Sequence, residues 1–216
     1  MHRRALVAGP TGLVGRELVR RLLDDPDVES VVALTRRPIG IPLPKLTEAI
    51  VDFAQLADFA APPVDDYFCC LGTTIRQAGS RDAFREVDLV YPLLIARMAL
   101  AAGATRCFFV SAMGADPASR VFYSRIKGEL EAELSRLPFR TVVALRPSLL
   151  AGDRVEVRTG ERVALAVARP LSALIPAKYR PIDAAVVAQA LVNASRSDAV
   201  GRFVVESDVL QRLAAS

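Results

Sequence analysis

The chain has no tryptophan, and its only histidine is His2. That scarcity excludes zinc sites built from Cys and His spacing and also excludes Ser-His-Asp triads. Cysteine is scarce too: Cys69, Cys70 and Cys107, an odd number with two adjacent. They lie in the apolar runs YFCCLG and RCFFVS, which read as buried strands, so free thiols in a reducing compartment are expected. No metal is expected. Blocks of like charge are missing. The net charge is +4 and the pI about 9.2, but the arginines are scattered. That pattern describes a solvated surface and gives no nucleic-acid arm or polybasic membrane patch. Long apolar runs are missing as well. No stretch reaches the roughly 18 residues of a membrane span, and the nearest, residues 163–175, is broken by Arg169 and Pro170. The first apolar run is too short for a signal-peptide core and is cut early by glycine. A cytoplasmic protein with no nucleic-acid and no membrane partner is the expectation.

The remaining composition is that of one folded domain. Hydrophobic residues make up 52% of the 216, and charged residues 24%. Short runs that are apolar end to end (RALVAG, VESVVALT, EAIVDF, DDYFCCLG, TRCFFVSA, RTVVALRPSLL, GRFVVES) alternate with helical patterns. Strands buried on both faces and separated by amphipathic helices predict a doubly wound parallel α/β sheet. The helical patterns include 81–103, opened by Ser80 as N-cap and disturbed by Pro92. A single domain, 1–216, is expected, with the irregular stretch 152–180 as a small C-terminal substrate lobe.

Between the first strand and first helix stands AGPTGLVG, with Gly9, Gly12 and Gly15. Glycines there let the backbone turn tightly and approach a pyrophosphate, whose charge meets the helix N-terminus. Gly9, Thr11, Gly12, Leu13, Val14 and Gly15 are therefore candidate nucleotide-binding residues. Pro10 has no N–H, so one amide contact is missing. In NAD binders a carboxylate about 20 residues further on grips the ribose. Here no Asp or Glu occurs from Ser30 to Lys45, and Arg36 and Arg37 end the second strand. Two guanidiniums suit a 2′-phosphate, which favours NADP(H). Asp52 and Phe53 are placed beside the adenine. The small, polar turn Leu71, Gly72, Thr73 and Thr74 would let the nucleotide lie close over the fourth strand, and Pro147 ends the sixth.

The segment VFYSRIKGEL holds one of only three lysines, Lys127, four residues after Tyr123. That spacing puts both on one helix face. An ammonium beside a phenol stabilises the phenolate, so Tyr123 is the expected proton donor to a substrate oxygen. Ser111, at the carboxyl end of the fifth strand, is placed to hydrogen-bond the same oxygen. Ser111, Tyr123 and Lys127 are the candidate catalytic set. Met113, Phe122, Leu149 and Tyr179 are candidate pocket residues by chain position.

GPTGLVG and YSRIK resemble the glycine loop and the Tyr-x-x-x-Lys of the short-chain dehydrogenase/reductase superfamily. More narrowly, CCLGTTIRQAGSRDAFREVD, VSAMGAD, FYSRIKGELE, LRPSLL and KYRPI resemble its atypical, Tat-interacting-protein-like branch, including small bacterial members. The resemblance spans Leu6 to about Glu206. It implies a Rossmann-type fold, NADPH binding, Ser111, Tyr123 and Lys127 as catalytic positions, and allows a homodimer through the long helices. Many relatives carry an Asn on the long helix; here REVDLV offers Asp88, which either stands in or leaves the role vacant. The expected function is NADPH-dependent reduction of a small carbonyl compound. A nucleotide-sensing interaction module with little turnover is the alternative, and a nucleotide-sugar epimerase or dehydratase the third.

Overall fold

The computed structural model describes residues 2–39, 43–151 and 176–215. Its centre is a seven-stranded sheet in the order β3-β2-β1-β4-β5-β6-β9, with every neighbouring pair parallel. The strands are β1 (Arg3–Ala8), β2 (Val28–Thr35), β3 (Leu46–Ile50), β4 (Asp66–Cys69), β5 (Arg106–Val110), β6 (Thr141–Arg146) and β9 (Gly201–Glu206). The expected doubly wound α/β architecture is present.

Successive side chains of a strand point to opposite faces. Leu6, Ala8, Tyr67, Cys69, Cys107 and Phe109 pack into one core. Ala5, Val7, Phe68 and Phe108 pack into the other. Because both faces are covered, the central strands read as unbroken apolar runs. The first core is closed by α4 (Tyr91–Ala101) and α5 (Phe122–Arg136), through Ile95, Ile126 and Leu130. The second is closed by α1 (Leu13–Asp24), α6 (Ala184–Arg196) and α7 (Ser207–Ala215), through Leu18, Leu191 and Leu210.

Ser80 caps α3 (Arg81–Arg85), its hydroxyl accepting from the Ala83 N–H at 3.0 Å. The disturbance expected from Pro92 takes the form of a π-helical turn, Glu86–Val90, where the Tyr91 N–H reaches back to the Glu86 carbonyl. Pro92 follows directly, in the first turn of α4, and the helix widens where it has no N–H to donate to the preceding turn. Thr74 caps a further short helix, α2 (Ile75–Ala78), which the sequence reading did not assign. The strand expected over EAIVDF ends at Ile50, and a 3₁₀ turn covers Phe53–Asp58. The proposed lobe at 152–180 lies outside the described residues up to position 175. Its flanks pair as two short parallel strands, β7 (Leu150–Ala151) and β8 (Ile182–Asp183). A 3₁₀ turn, Ala177–Tyr179, precedes β8.

Candidate nucleotide and catalytic site

The carboxyl ends of β1, β4 and β5 lie side by side, and the sequence-predicted residues cluster there. Gly9 ends β1 with φ of +77°, a conformation suited to glycine. A β-carbon on it would sit 2.7 Å from the Cys70 carbonyl carbon and 2.8 Å from the Leu71 nitrogen. One on Gly15 would sit 2.0 Å from the Gly9 carbonyl oxygen. These two glycines bring the first turn of α1 against the strand ends. Gly12 is the N-cap of α1; no side chain caps it, and the first turn carries no acidic residue. The amides of that turn and the positive end of the helix are left for an anion. Val14 is buried, and Thr11 is exposed beside it.

Arg36 and Arg37 are exposed directly beyond β2. The Phe53 ring, next to Asp52, meets Tyr91 edge-on with centroids 5.3 Å apart. Tyr91 donates to Glu86 at 3.3 Å. Burial, then the Glu86 carboxylate, push its phenol up, with Asp52 adding to the rise and Arg36 opposing it. Arg36, Asp52 and Phe53 thus lie near one another around Tyr91. The structure adds Tyr91 and Glu86, which sequence reasoning missed because they lie far along the chain on another helix.

Elsewhere at the strand ends, α5 carries Tyr123 and Lys127. Tyr123 is 38% exposed and its ring packs on Phe84, centroids 5.9 Å apart. Lys127, one turn further, is only 4% exposed, and its ammonium lies 2.7 Å from the carboxylate of Asp88, which is fully buried. Burial alone would lower the lysine; Asp88, then Tyr123, outweigh it and hold the ammonium above its ordinary value. Asp88 sits in the π-helical turn, a feature often found at functional sites. Its other oxygen accepts from the Thr73 N–H at 2.8 Å. Gly72 lies over the pair: a β-carbon there would be 3.6 Å from Asp88 Oδ1 and 3.8 Å from Lys127 Nζ. The turn Leu71–Thr74 therefore roofs the lysine, a contact the sequence reading did not name. The Thr74 hydroxyl, however, is occupied as the cap of α2. The ammonium is not a bare charge beside the phenol. It is half of a buried ion pair, and Asp88 is its partner.

Ser111 ends β5 and is 4% exposed. Its hydroxyl donates to Glu131 Oε1, a partner the sequence reading did not name. Pro147 is buried, and its carbonyl accepts from the Met113 N–H at 3.0 Å. Of the guessed pocket residues, Leu149 and Tyr179 are exposed. Phe122 is turned elsewhere. Its ring packs on Phe84, with Arg81 and Arg125 against it at 5.2 and 5.7 Å. Consecutive helical residues face about 100° apart, so Phe122 joins the stripe of Ile126 and Leu130 and not that of Tyr123. Among the described residues no cluster of potential metal ligands occurs.

Comparison with known proteins decides the family. Residues 5–129 match the model of the NAD dependent epimerase/dehydratase family. The chain belongs to that family. It is 34% identical to Protein HTATIP2 of Rattus norvegicus over 169 residues, covering 76% of this chain and 69% of the relative. It is 30% identical to Protein FMP52, mitochondrial, of Candida albicans over 223 residues, covering 97% of each. The resemblance to the Tat-interacting-protein-like atypical short-chain dehydrogenase/reductases therefore holds. Among solved structures, MoeE5 in complex with UDP-glucose and NAD superposes with a TM-score of 0.69 at 17% identity, covering 98% of this chain and 81% of that one. A short-chain dehydrogenase family protein from Francisella tularensis gives 0.69 at 14% identity, covering 95% and 97%. Such distant likeness speaks to the fold alone: a Rossmann-like sheet of the kind seen in MoeE5, which was solved with NAD.

One expectation is corrected. The sequence pointed to the cytoplasm, but fungal relatives are named as mitochondrial proteins. The features read from the sequence, scattered charge and free cysteines, do not distinguish the two compartments. No helix among the described residues is long and apolar enough to cross a membrane.

Proposed function

We propose that the protein is an NADPH-dependent reductase of a small carbonyl compound, with Tyr123 as proton donor and Lys127 as its charged neighbour and nucleotide anchor. The observation that carries this reading is the half-exposed Tyr123 one helical turn from a buried, charged Lys127, under the Gly72–Thr73 turn. The residues present fit a dinucleotide. Close backbone packing at Gly9 and Gly15 sets the first turn of α1 at the end of β1, and the open amides of that turn suit the charge of a pyrophosphate. Arg36 and Arg37 would hold a 2′-phosphate, and Asp52, Phe53 and Tyr91 would flank the adenine.

Bound NADPH would supply the hydride. Tyr123 would give its proton to the substrate oxygen, so that carbonyl, hydride and proton together make the alcohol. Lys127 has three donors; one meets Asp88, which leaves two for ribose hydroxyls. Asp88 thus takes a place on the long helix where relatives carry Asn, by direct pairing with the lysine.

The test is a titration with NADPH and NADH, repeated in R36A/R37A, together with turnover of a carbonyl panel by the unmodified protein and Tyr123→Phe. Tighter NADPH binding that the double arginine variant abolishes, and turnover lost in Y123F with binding intact, support the reading. Tighter NADH binding, or normal turnover in Y123F, overturns it. A second reading, epimerisation or dehydration of a nucleotide sugar, draws on the family's name and on UDP-sugar complexes among the structural neighbours. Activity without net consumption of nucleotide would favour it.

A further inference from the structure

Tyr123, Lys127 and Glu131 are spaced four residues apart and lie along one stripe of α5. Lys127 and Glu131 are both buried, at 4% and 8% exposure. A buried carboxylate two turns from the proposed proton donor needs partners, and here each oxygen has one from a single guanidinium. Arg146 Nε donates to Oε1 at 2.9 Å, and Nη2 to Oε2 at 2.6 Å. Arg146 ends β6. The same guanidinium also reaches the Ala115 carbonyl at 2.9 Å, in the loop after β5, and Glu206 at the end of β9, at 3.2 Å. Lys178 lies 3.4 Å from Glu206 on the far side. The remaining contact of Glu131 is Ser111, at the end of β5.

The direction of that last hydrogen bond follows from chemistry. A salt-bridged carboxylate offers only acceptors, and a serine hydroxyl has one proton. Ser111 must therefore spend its proton on Glu131. It has none left for a carbonyl oxygen in the cleft, contrary to the sequence expectation. The residue that looked like a second donor to substrate is instead one end of a strut between the sheet and α5.

We infer that Glu131 and Arg146 are positioning residues of this site, which hold the Ser111 hydroxyl as a donor to Glu131 and so fix α5, with Tyr123 and Lys127 on it, over the ends of β5 and β6. The inference rests on the nucleotide reading above, and on the lysine end of the cleft in particular. The adenine end is built from other elements: α1, the end of β2 and the residues around Phe53. A loosened strut should therefore weaken the grip on the nicotinamide half of a dinucleotide and spare the adenosine half.

The experiment compares the dissociation constants of NADPH and of adenosine 2′,5′-bisphosphate, which lacks the nicotinamide half (NADH against AMP reads the same ratio). The variants are Glu131→Gln, Ser111→Ala, their double, Arg146→Lys and Ser111→Thr. A hydrogen bond to a buried charge sets the scale. On that scale E131Q and S111A should each lose about tenfold of NADPH's advantage over the fragment, with fragment affinity unchanged. The double variant should lose no more than the larger single loss, because both remove one strut. S111T, which keeps the hydroxyl, should retain most of the advantage, whereas R146K, which keeps the charge but loses the two-pronged grip on Glu131, should lose part of it. The inference is overturned if E131Q keeps the full advantage while S111A loses it, which would make Ser111 a direct ligand contact. It is also overturned if the two losses multiply in the double, or if fragment affinity falls in parallel, which marks a general loss of fold. Absence of any NADPH advantage in the unmodified protein would instead sink the nucleotide reading itself.

Discussion

Replacing Asp88 by alanine would leave the Lys127 ammonium 4% exposed and deprived of a carboxylate now 2.7 Å away. Coulomb's law at that separation gives about 6 kcal/mol at an effective dielectric of about 20. Part of this offsets the cost of burying both charges, so the loss on breaking such a pair is about 3–5 kcal/mol. The Thr73 amide would lose its acceptor too, adding about 1 kcal/mol. D88A should therefore lower the unfolding free energy by about 4–6 kcal/mol at pH 7, a large fraction of a typical domain's total. Asn keeps the shape and an acceptor for Thr73, so D88N should cost less.

The pH dependence has a definite sign. In the native protein Lys127 is held above its ordinary value. Its contribution is thus complete below the lysine value of an unfolded chain and is lost only as pH rises through the higher folded value. In D88A burial, the largest effect on Lys127, is opposed only by the smaller effects of Tyr123 and Cys69, and the folded value is expected to fall below the unfolded one. The penalty is then largest near neutrality and shrinks as the amine discharges in alkali. Urea denaturation followed by far-ultraviolet circular dichroism, at pH 7 and again near pH 10, measures both effects without needing tryptophan. A D88A loss below about 1 kcal/mol, or one that grows towards pH 10, would refute the buried-pair argument.

Other consequences can be checked with simple variants. Gly15→Ala places a β-carbon 2.0 Å from the Gly9 carbonyl, so isothermal titration should find nucleotide binding lost, and G15A should be less stable than the parent. Ser80→Ala removes the cap on α3 and should lower stability by about 1 kcal/mol in denaturant titration. Burial pushes the thiols of Cys69 and Cys107 up, so at pH 8 mass spectrometry should find both unmodified by iodoacetamide in the native protein and alkylated after unfolding.

The sheet was legible because β1, β4 and β5 are buried on both faces, which writes unbroken apolar runs into the sequence. The glycine cradle was legible because close backbone approach at Gly9 and Gly15 leaves no room for another residue type. The α7 helix was not, since Ser207 follows Glu206 of β9 with no glycine or proline to mark the change. Tyr123 and Lys127 could be paired because four-residue spacing on a helix is a local rule. Asp88 could be suspected but not paired, because its contact with Lys127 crosses between helices far apart in the chain. Glu131 carried a local signal that went unread: a carboxylate one turn beyond Lys127 on the same stripe. Its partners Ser111 and Arg146 belong to neighbouring strand ends, and only the sheet order brings those together.

The most direct test of the catalytic assignment is the consumption of reduced nicotinamide nucleotide across a carbonyl panel, measured for the unmodified protein and for Tyr123→Phe, with the NADPH dissociation constant determined for both. The account predicts turnover in the first, none in the second, and the same affinity for NADPH in each. Undiminished turnover in Y123F would contradict it.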